Sequence, residues 1–229
     1  MPNCIKEIPM LFSTLMVQAT LAGRKTETRR MRNLEVVNNP SRDWFFMEIA
    51  VADDFKATYA SFFSHVTGEV VKIKCPYGKP GDKIWVRESF VPEYFDDCSH
   101  GYKADWSKEA AEYVTEPKWK PSIHMPKSAA RIWLEIEEIS CERLRDISDE
   151  SAENEGIDFK LVNEEKIFKD YMINGLTWRS PSQSFYSLWK HINGADSLRA
   201  NPWVWVIKFQ ECSSPLNTLN FNHQLKLSK

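Results

Sequence analysis

The stretch Leu21-Ala-Gly-Arg-Lys-Thr-Glu-Thr-Arg-Arg-Met-Arg32 joins a predicted helix to a predicted strand. It carries five cations and one acid between Arg24 and Arg32, whereas the whole chain has a formal net charge of only -2. Gly23 is typical of a helix end, and the alternating residues after it favour a strand. The helix dipole accounts for the first two cations. The three later arginines lie beyond the last turn, where concentrated arginine suits a phosphate or another anion.

Lys25 stands among like charges, which disfavour its protonated form and lower its pKa. Such a lysine acts as a base toward a nearby hydroxyl, and Thr28 supplies one three positions along. In a strictly extended chain these two side chains point to opposite faces, so the pair meets only if the chain turns between them. Alternatively, Thr28 simply packs in a strand, as threonine commonly does.

Composition excludes several classes of protein. The 229 residues form one large domain or two small ones. The sequence lacks an apolar run long enough for a membrane span and a signal peptide, so we expect a cytoplasmic protein without a membrane partner. Five scattered cysteines and five scattered histidines form no disulfide or metal pattern, so we expect neither a metal nor a cofactor. The near-neutral charge disfavours a general nucleic-acid coat but allows a focused site for one nucleotide or small anion.

Hydrophobic periodicity predicts an α+β protein. The predicted strands are 8–13, 25–31, 68–74, 83–90, 130–139 and 201–210. The predicted helices are 14–22, 149–155 and 182–192. Ser148 is expected to cap the second. The third has an apolar face of Phe185, Leu188, Trp189 and Ile192, which is expected to pack in the core or, alternatively, to form a dimer face. The stretches 33–67, 92–128 and 158–181 are predicted to be irregular. Several strands with few helices between them indicate a mostly antiparallel barrel or curled sheet with helical insertions.

The motif Gly23-x-Lys25-x-x-x-x-Arg30 resembles the signature of the ASCH domain, although the commonest form of that signature carries an acid where Thr28 stands. Three further segments resemble the longer ASCH proteins of phages and prophages. These segments are 75–88, 120–126 and 201–206. Together with the motif, they extend the resemblance over most of residues 8–210.

This resemblance implies a PUA-like (ASCH) fold, a mixed and mostly antiparallel β-barrel with flanking helices and helical or loop insertions. The implied organisation is a single domain over 1–212 and a polar tail over 213–229. The insertions are expected near 33–67, 92–128 and 158–198.

A shorter ASCH subgroup implies an activity. Bacterial N4-acetylcytidine amidohydrolases carry a Gly-Arg-Lys-Thr-x-Thr run similar to residues 23–28. By resemblance, Thr28 is the nucleophile, Lys25 its activator, and Glu155 a proton donor or acceptor. An acid in the last turn of a helix faces the negative end of the dipole, which raises its pKa. The alternative is that Glu155 is a solvated glutamate in an acidic helix. Since those enzymes are shorter, the insertions here can reshape or cover the pocket.

Six further residues are candidates for substrate binding. Arg24, Arg29 and Arg30 are expected to anchor polar or anionic groups. Arg87 shares a strand face with Trp85, and Glu88 takes the other face. Arg87 either contacts a base or pairs with an acid, and Trp85 is expected in the core. His124 lies in a loop flanked by prolines, and loop residues often carry function.

We therefore expect an amidohydrolase that removes an acyl group from an N4-acylated cytosine nucleoside or a related modified nucleobase. Its partner is a nucleoside or modified base, or alternatively RNA. The leading alternative is a non-catalytic module of phage origin that binds RNA or a modified base through the arginine cluster. A ribonuclease that uses the same lysine and arginines, or a structural phage role, also stays open.

Overall fold

The computed structural model describes residues 5–39, 43–52, 57–92, 100–107 and 115–214. The chain divides into two compact units, each assembled from separate segments. The first unit consists of the described residues in the ranges 19–81 and 136–209. The second unit consists of the described residues in the ranges 5–18, 82–135 and 210–214. The single domain over 1–212 stays a prediction. The predicted tail over 213–229 lies almost entirely outside the described residues.

The secondary structure is α+β, as predicted. The strands are β1 (Glu7–Leu11), β2 (Glu27–Arg30), β3 (Trp44–Val51), β4 (Thr58–Ser64), β5 (Val70–Lys74), β6 (Lys83–Arg87), β7 (Phe90–Val91), β8 (Gly101–Tyr102), β9 (Trp133–Arg143), β10 (Phe159–Val162), β11 (Glu165–Lys169), β12 (Thr177–Trp178) and β13 (Trp203–Glu211). The helices are α1 (Thr14–Leu21), α2 (Asp149–Asn154), α3 (Pro181–Asn193) and α4 (Ala195–Ala200). None of the described helices is long and apolar enough to cross a membrane.

In the first unit, β9, β13 and β2 are successive neighbours in one sheet. β13 and β2 run antiparallel, with Thr28 opposite Ile207 and Arg29 opposite Val206. Both faces of β13 are buried over residues 204–207. This pairing holds the basic stretch in place, because β2 lies against one of the most buried strands of the unit.

The strands β3, β4 and β5 form a separate antiparallel sheet in the first unit. The irregular structure predicted for 33–67 is therefore wrong for Trp44–Val51 and Thr58–Ser64. A register shift between Phe46 and Glu48 breaks the alternation of β3, which obscures the period of two in the sequence. Residues 158–181 likewise contain β10, β11 and β12, which form a third antiparallel sheet.

Helix α3 contributes to a core cluster of the first unit. Phe185 and Trp189 are buried there, and Leu188 packs partly buried against the same cluster. Ile192, by contrast, is 58% exposed, so its predicted place on the buried face is wrong. It lies in the last turn of the helix, next to Asn193 and the chain reversal at Gly194, where the packed face has already ended.

In the second unit, β1 pairs in parallel with β6, and β6 pairs antiparallel with β9. A core cluster of Phe90, Met125, Ala129, Ala130 and Trp133 fills this unit. Trp85 packs partly buried against it, in agreement with the expected core role. The pairs β2–β13, β3–β4, β4–β5, β6–β9, β7–β8, β10–β11 and β11–β12 are antiparallel. Within the described residues, no sheet closes into a barrel.

Candidate active site

The chain reverses between α1 and β2 through a glycine turn. Gly23 has a φ of +68°, a conformation that glycine adopts without strain. Its N–H donates to the carbonyl of Thr20 at 2.8 Å, and the N–H groups of Arg24 and Lys25 both donate to the carbonyl of Ala19, at 2.9 and 3.1 Å. The predicted helix end at Gly23 is confirmed, and the turn delivers Lys25 to the start of β2.

Helix α2 positions Glu155. The Ser148 hydroxyl caps this helix by accepting the N–H of Ser151 at 3.1 Å, as its sequence predicts. Glu155 is the C-cap residue, and it forms an isolated antiparallel bridge with Lys25. The N–H of Thr26 donates to the carbonyl of Asn154 at 2.9 Å. The end of α2 is therefore bonded through its backbone to the start of β2.

The Lys25 ammonium is buried and donates hydrogen bonds to oxygen atoms of Glu155 and Glu27. Nζ donates to Glu155 Oε2 at 2.6 Å, to the carbonyl oxygen of Glu155 at 2.9 Å, and to the carbonyl oxygen of Glu27 at 2.8 Å. The Lys25 side chain is 1% exposed and that of Glu155 7%. The structure thus brings together two of the three residues expected to be catalytic, although 130 positions separate them in sequence.

Arg29 joins this pair to two further carboxylates. Its Nη1 donates to Glu155 Oε1 at 3.3 Å and to Glu27 Oε1 at 3.2 Å. Its Nε donates to Glu142 Oε1 at 2.8 Å. We call these five side chains the buried ion cluster: Lys25, Glu27, Arg29, Glu142 and Glu155. Lys25, Glu27 and Arg29 occupy alternate positions along an extended chain, which directs them to one face.

Burial and neighbouring charges shift the pKa of both members of the central pair. Burial lowers the pKa of the Lys25 amine and outweighs the opposing effect of Glu155, and Arg30 and Arg29 lower it further. The lowered pKa predicted for Lys25 is confirmed, with burial rather than crowding as the main cause. Burial alone raises the pKa of the Glu155 carboxyl, but the charges of Lys25 and Arg29 leave it below its usual value. The raised pKa predicted for Glu155 is therefore wrong.

Thr28 is buried at 2% exposure and lies on β2 opposite Ile207. Alternation along the strand directs its side chain away from the face that carries the buried ion cluster. Within the described part of the chain, its hydroxyl forms no hydrogen bond. However, Lys25 Nζ contacts the carbonyl of Glu27, which belongs to the peptide bond that joins Glu27 to Thr28. The role of Thr28 as nucleophile stays a prediction.

Arg30 follows on the same face as Thr28, and a tyrosine accompanies it. Burial lowers the pKa of Arg30, while Tyr77 and Glu155 raise it in part. Burial raises the pKa of Tyr77, and the charges of Arg30 and Arg32 partly offset this. Tyr77 was not among the residues predicted for the site. Arg30 is thus within electrostatic reach of both Tyr77 and the central pair.

The Arg24 side chain is hydrogen-bonded to the segment that follows Glu155. Its Nη1 donates to the carbonyls of Gly156 and Ile157 at 3.1 and 3.0 Å, and its Nη2 donates to Asp158 Oδ1 at 3.1 Å. These three contacts clamp the chain just beyond α2. In this arrangement Arg24 supports the position of Glu155, and its expected role in binding substrate stays a prediction.

Two carboxylates of the buried ion cluster, Glu27 and Glu142, were not predicted from the sequence. Glu27 lies inside the basic stretch, where alternation with Lys25 and Arg29 was an available signal. Glu142 lies on β9, 113 positions from Arg29, and no local pattern connects the two. Burial raises the pKa of Glu142 despite the charge of Arg29.

The other three candidates for substrate binding belong to the second unit. Arg87 lies over the Trp85 ring at 5.4 Å, and its Nη2 donates to the carbonyl of Ile123. His124 ends a short 3-10 turn, and its side chain is exposed. The expected placement of His124 in a loop between prolines is therefore correct, and its role stays a prediction.

Glu88 pairs with an arginine that the sequence analysis did not select. Arg131 donates to both carboxylate oxygens of Glu88, at 2.9 and 3.1 Å, and to both of Asp105, at 2.6 and 3.0 Å. It also lies over the Tyr102 ring at 4.0 Å. Burial raises the pKa of Glu88, and Arg131 offsets this in part. Glu88 is therefore a member of a structural network in the second unit.

Comparisons with protein-family models, curated proteins and solved structures give no match. In the part of the chain that the structure describes, no group of three or more histidine, cysteine or acidic side chains is arranged to hold a metal ion.

Proposed function

We propose that this protein is an amidohydrolase that removes an acyl group from an N4-acylated cytosine nucleoside or a related modified nucleobase. The observation that carries the proposal is the buried ion pair of Lys25 and Glu155, whose Nζ and Oε2 atoms lie 2.6 Å apart. Buried lysines with lowered pKa values are typical of catalytic bases. The proposal includes a PUA-like (ASCH) assignment for the fold, which the motif at residues 23–30 suggests.

In the proposed reaction, Thr28 Oγ1 attacks the acyl carbon while Lys25 Nζ takes the hydroxyl proton. A lowered pKa increases the fraction of Lys25 that is neutral and able to accept this proton. The carbon–nitrogen bond then breaks, and the cytosine amine leaves with the proton from Lys25. Water hydrolyses the Thr28 ester, which releases the carboxylic acid and restores the hydroxyl.

Glu155 acts on Lys25 in this scheme. Because its pKa lies below the usual value, the carboxylate is ionised in the resting site and is not the acid that first protonates the amine. It stabilises the ammonium that forms when Lys25 takes the proton and holds Nζ beside the Glu27–Thr28 peptide bond. Alternation along the strand places the side chains of Lys25 and Thr28 on opposite faces. The proposal therefore requires the substrate to bind at the start of β2, where it can contact both side chains. Glu142, with a side chain 29% exposed, marks an edge of the buried ion cluster that solvent reaches.

The contacts of Arg24 and Arg29 favour an amidohydrolase over a non-catalytic module that binds nucleic acid through the basic stretch. The Arg29 side chain is 1% exposed and is engaged by three carboxylates, and Arg24 is bonded to the chain after Glu155. A phosphate would have to displace these partners. The arginines are therefore better explained as supports of the central pair.

The proposal is tested by hydrolysis of N4-acetylcytidine by the wild type and by Thr28→Val, Lys25→Met and Glu155→Gln. We expect the wild type to turn over and Thr28→Val to lose at least about 100-fold in kcat. Thr26→Val is the matched control, because Thr26 is an exposed threonine of the same run, and it should keep full activity. Thr28→Ser should retain part of the activity.

Thermal unfolding followed by circular dichroism checks that each variant is folded. Wild-type protein that releases no acetate from N4-acylated cytidines would overturn the proposal. Full activity of a folded Thr28→Val variant would overturn its mechanism.

A further inference from the structure

The β3–β4–β5 sheet has one face packed inside the first unit and a second face that is exposed along the outer strands β3 and β5 but buried at Ser61 of β4. Phe62 and Ala60 of β4 are fully buried, and the Phe62 ring contacts those of Phe46 and Trp203, with centroids 5.7 and 5.3 Å away. The alternate residues of β4 point the other way. We call this opposite side the outer face, and strand register defines it as the rows Phe45–Phe63–Val70, Glu48–Ser61–Lys72 and Ala50–Tyr59–Lys74.

Aromatic rings cluster at one end of the outer face. Phe45 is 50% exposed, and Phe63 lies opposite it on β4. The His65 ring packs edge-on against both, with centroids 4.6 Å from Phe45 and 4.8 Å from Phe63. A phenylalanine half-exposed on a sheet presents a flat apolar surface that water solvates poorly. Exposed rings on a sheet are suited to stack on the bases of a single strand.

Two lysines continue the outer face along β5. Lys72 and Lys74 are exposed and lie on the same side as Val70. Neither ammonium forms an ion pair with any described residue. Glu48 shares the face, but β4 separates it from Lys72 in the register. The outer face therefore combines exposed rings with two cations that have no ion-pair partner among the described residues.

We propose that the outer face binds single-stranded nucleic acid, with bases stacked on Phe45, Phe63 and His65 and with phosphates contacted by Lys72 and Lys74. Rings supply sequence-tolerant stacking and lysines supply attraction to the backbone, the two components that single-strand binding requires. The inference goes beyond the proposed function and is independent of it, because strand binding needs no catalytic step.

A second copy of the chain is the other occupant that exposed apolar rings suggest. Each outer face carries two lysines and one carboxylate, Glu48, so two stacked faces would bury more cations than anions, and buried unpaired charge is strongly unfavourable. The phosphates of a nucleic acid neutralise the same groups. Charge complementarity therefore favours the nucleic acid.

The test is fluorescence anisotropy with a labelled RNA of about 12 nucleotides, a length within the span of known single-strand sites, and with the duplex of the same sequence. We expect the wild type to bind the single strand more tightly than the duplex. The variant Phe45→Ala/His65→Ala should bind about 10-fold more weakly. Phe45→Trp should retain binding. Lys72→Ala/Lys74→Ala should reduce the slope of log affinity against log salt by about 1.4.

Leu161→Ala/Lys160→Ala is the matched control, because it removes one exposed apolar side chain and one exposed cation from β10. It should bind like the wild type, and so should the catalytic variant Thr28→Val. The inference is wrong if the wild type fails to bind the single strand, or if Phe45→Ala/His65→Ala binds it unchanged. Sedimentation that shows the wild type as a dimer and Phe45→Ala/His65→Ala as a monomer, with RNA binding unchanged, would assign the face to self-association.

Discussion

Gly156 lies directly against Lys25. A Cβ added at residue 156 would be 2.8 Å from the Lys25 Cβ and 2.6 Å from the Ala19 Cβ, closer than Cβ atoms approach other carbon atoms. Gly156 also has a φ of +82°, which other residues adopt only with strain. The residue that follows Glu155 must therefore be glycine for α2 to approach β2 closely enough to form the central ion pair.

Replacing this glycine should disturb the packing of α2 against Lys25 and so destabilise the protein. We expect Gly156→Ala to lower the free energy of unfolding by about 3 kcal/mol, because steric overlap adds to backbone strain. Urea unfolding measures the change. Gly175→Ala is the control, since Gly175 has a φ of +83° but no atom within 4 Å of an added Cβ. It should cost only about 1–2 kcal/mol, and an equal cost for the two variants would contradict the close packing.

Arg29 should contribute strongly to the stability of the folded protein through the buried ion cluster. Replacing it with methionine keeps much of its volume but leaves Glu27 and Glu155 buried without this partner. We expect Arg29→Met to lower the free energy of unfolding by about 3–5 kcal/mol, as measured in urea. Arg199→Met should leave stability unchanged, because Arg199 and Asp196 form an ion pair whose side chains are 74% and 90% exposed. Similar stabilities for the two variants would show that the cluster contributes little.

Two carboxylates bound to Arg29 should respond to acid with opposite signs. The pKa of Glu155 is lowered, with the charges of Lys25 and Arg29 outweighing burial. Its stabilising effect is complete above the unfolded pKa of about 4.3 and is lost as the pH falls through the lower folded pKa. The pKa of Glu142 is raised by burial despite Arg29. Its ionisation therefore costs the folded state stability above about pH 4.3, and acid removes that cost.

Chemical unfolding at several pH values between about 5 and 3 tests this opposition. We expect the stability of Glu155→Gln to fall less steeply with acid than that of the wild type, and the stability of Glu142→Gln to fall more steeply. The slopes are compared rather than the absolute stabilities, so the baseline cost of each substitution does not matter. Identical slopes for the two variants would contradict the assigned directions.

The network around Arg131 should depend on the shape of its guanidinium. Arg131 donates to both oxygens of Glu88 and both oxygens of Asp105, a pattern that a lysine ammonium cannot reproduce. We expect Arg131→Lys to lower the free energy of unfolding by about 2 kcal/mol. Glu88→Gln should cost less, because burial already raises the pKa of Glu88 and disfavours its charge. A larger cost for Glu88→Gln, measured by the same urea titration, would show that the charge of Glu88 matters more than the fork of Arg131.

Local signals predicted the elements that surround the basic stretch. A helix ended by Gly23, an alternating strand after it, and a helix capped by Ser148 all depend on neighbours within a few residues, and all three are present. β3 was missed because the register shift at Phe46 and Glu48 removes the alternation by which a strand is recognised. Ile192 was misplaced because a helical period alone does not show where the packing partner of the helix ends.

The sequence by itself determined that Lys25 stands among cations at a helix-to-strand turn. The resemblance of this run pointed to Lys25 and Thr28, and the position of Glu155 near the end of the helix that follows the long strand pointed to Glu155. Only the tertiary structure decided that Glu142 joins the site, that Arg29 bridges three carboxylates, and that the pKa of Glu155 is lowered rather than raised. The reason is physical. Turns and caps arise from short-range backbone geometry, whereas the energy of a buried charge depends on burial and on partners brought from distant parts of the chain.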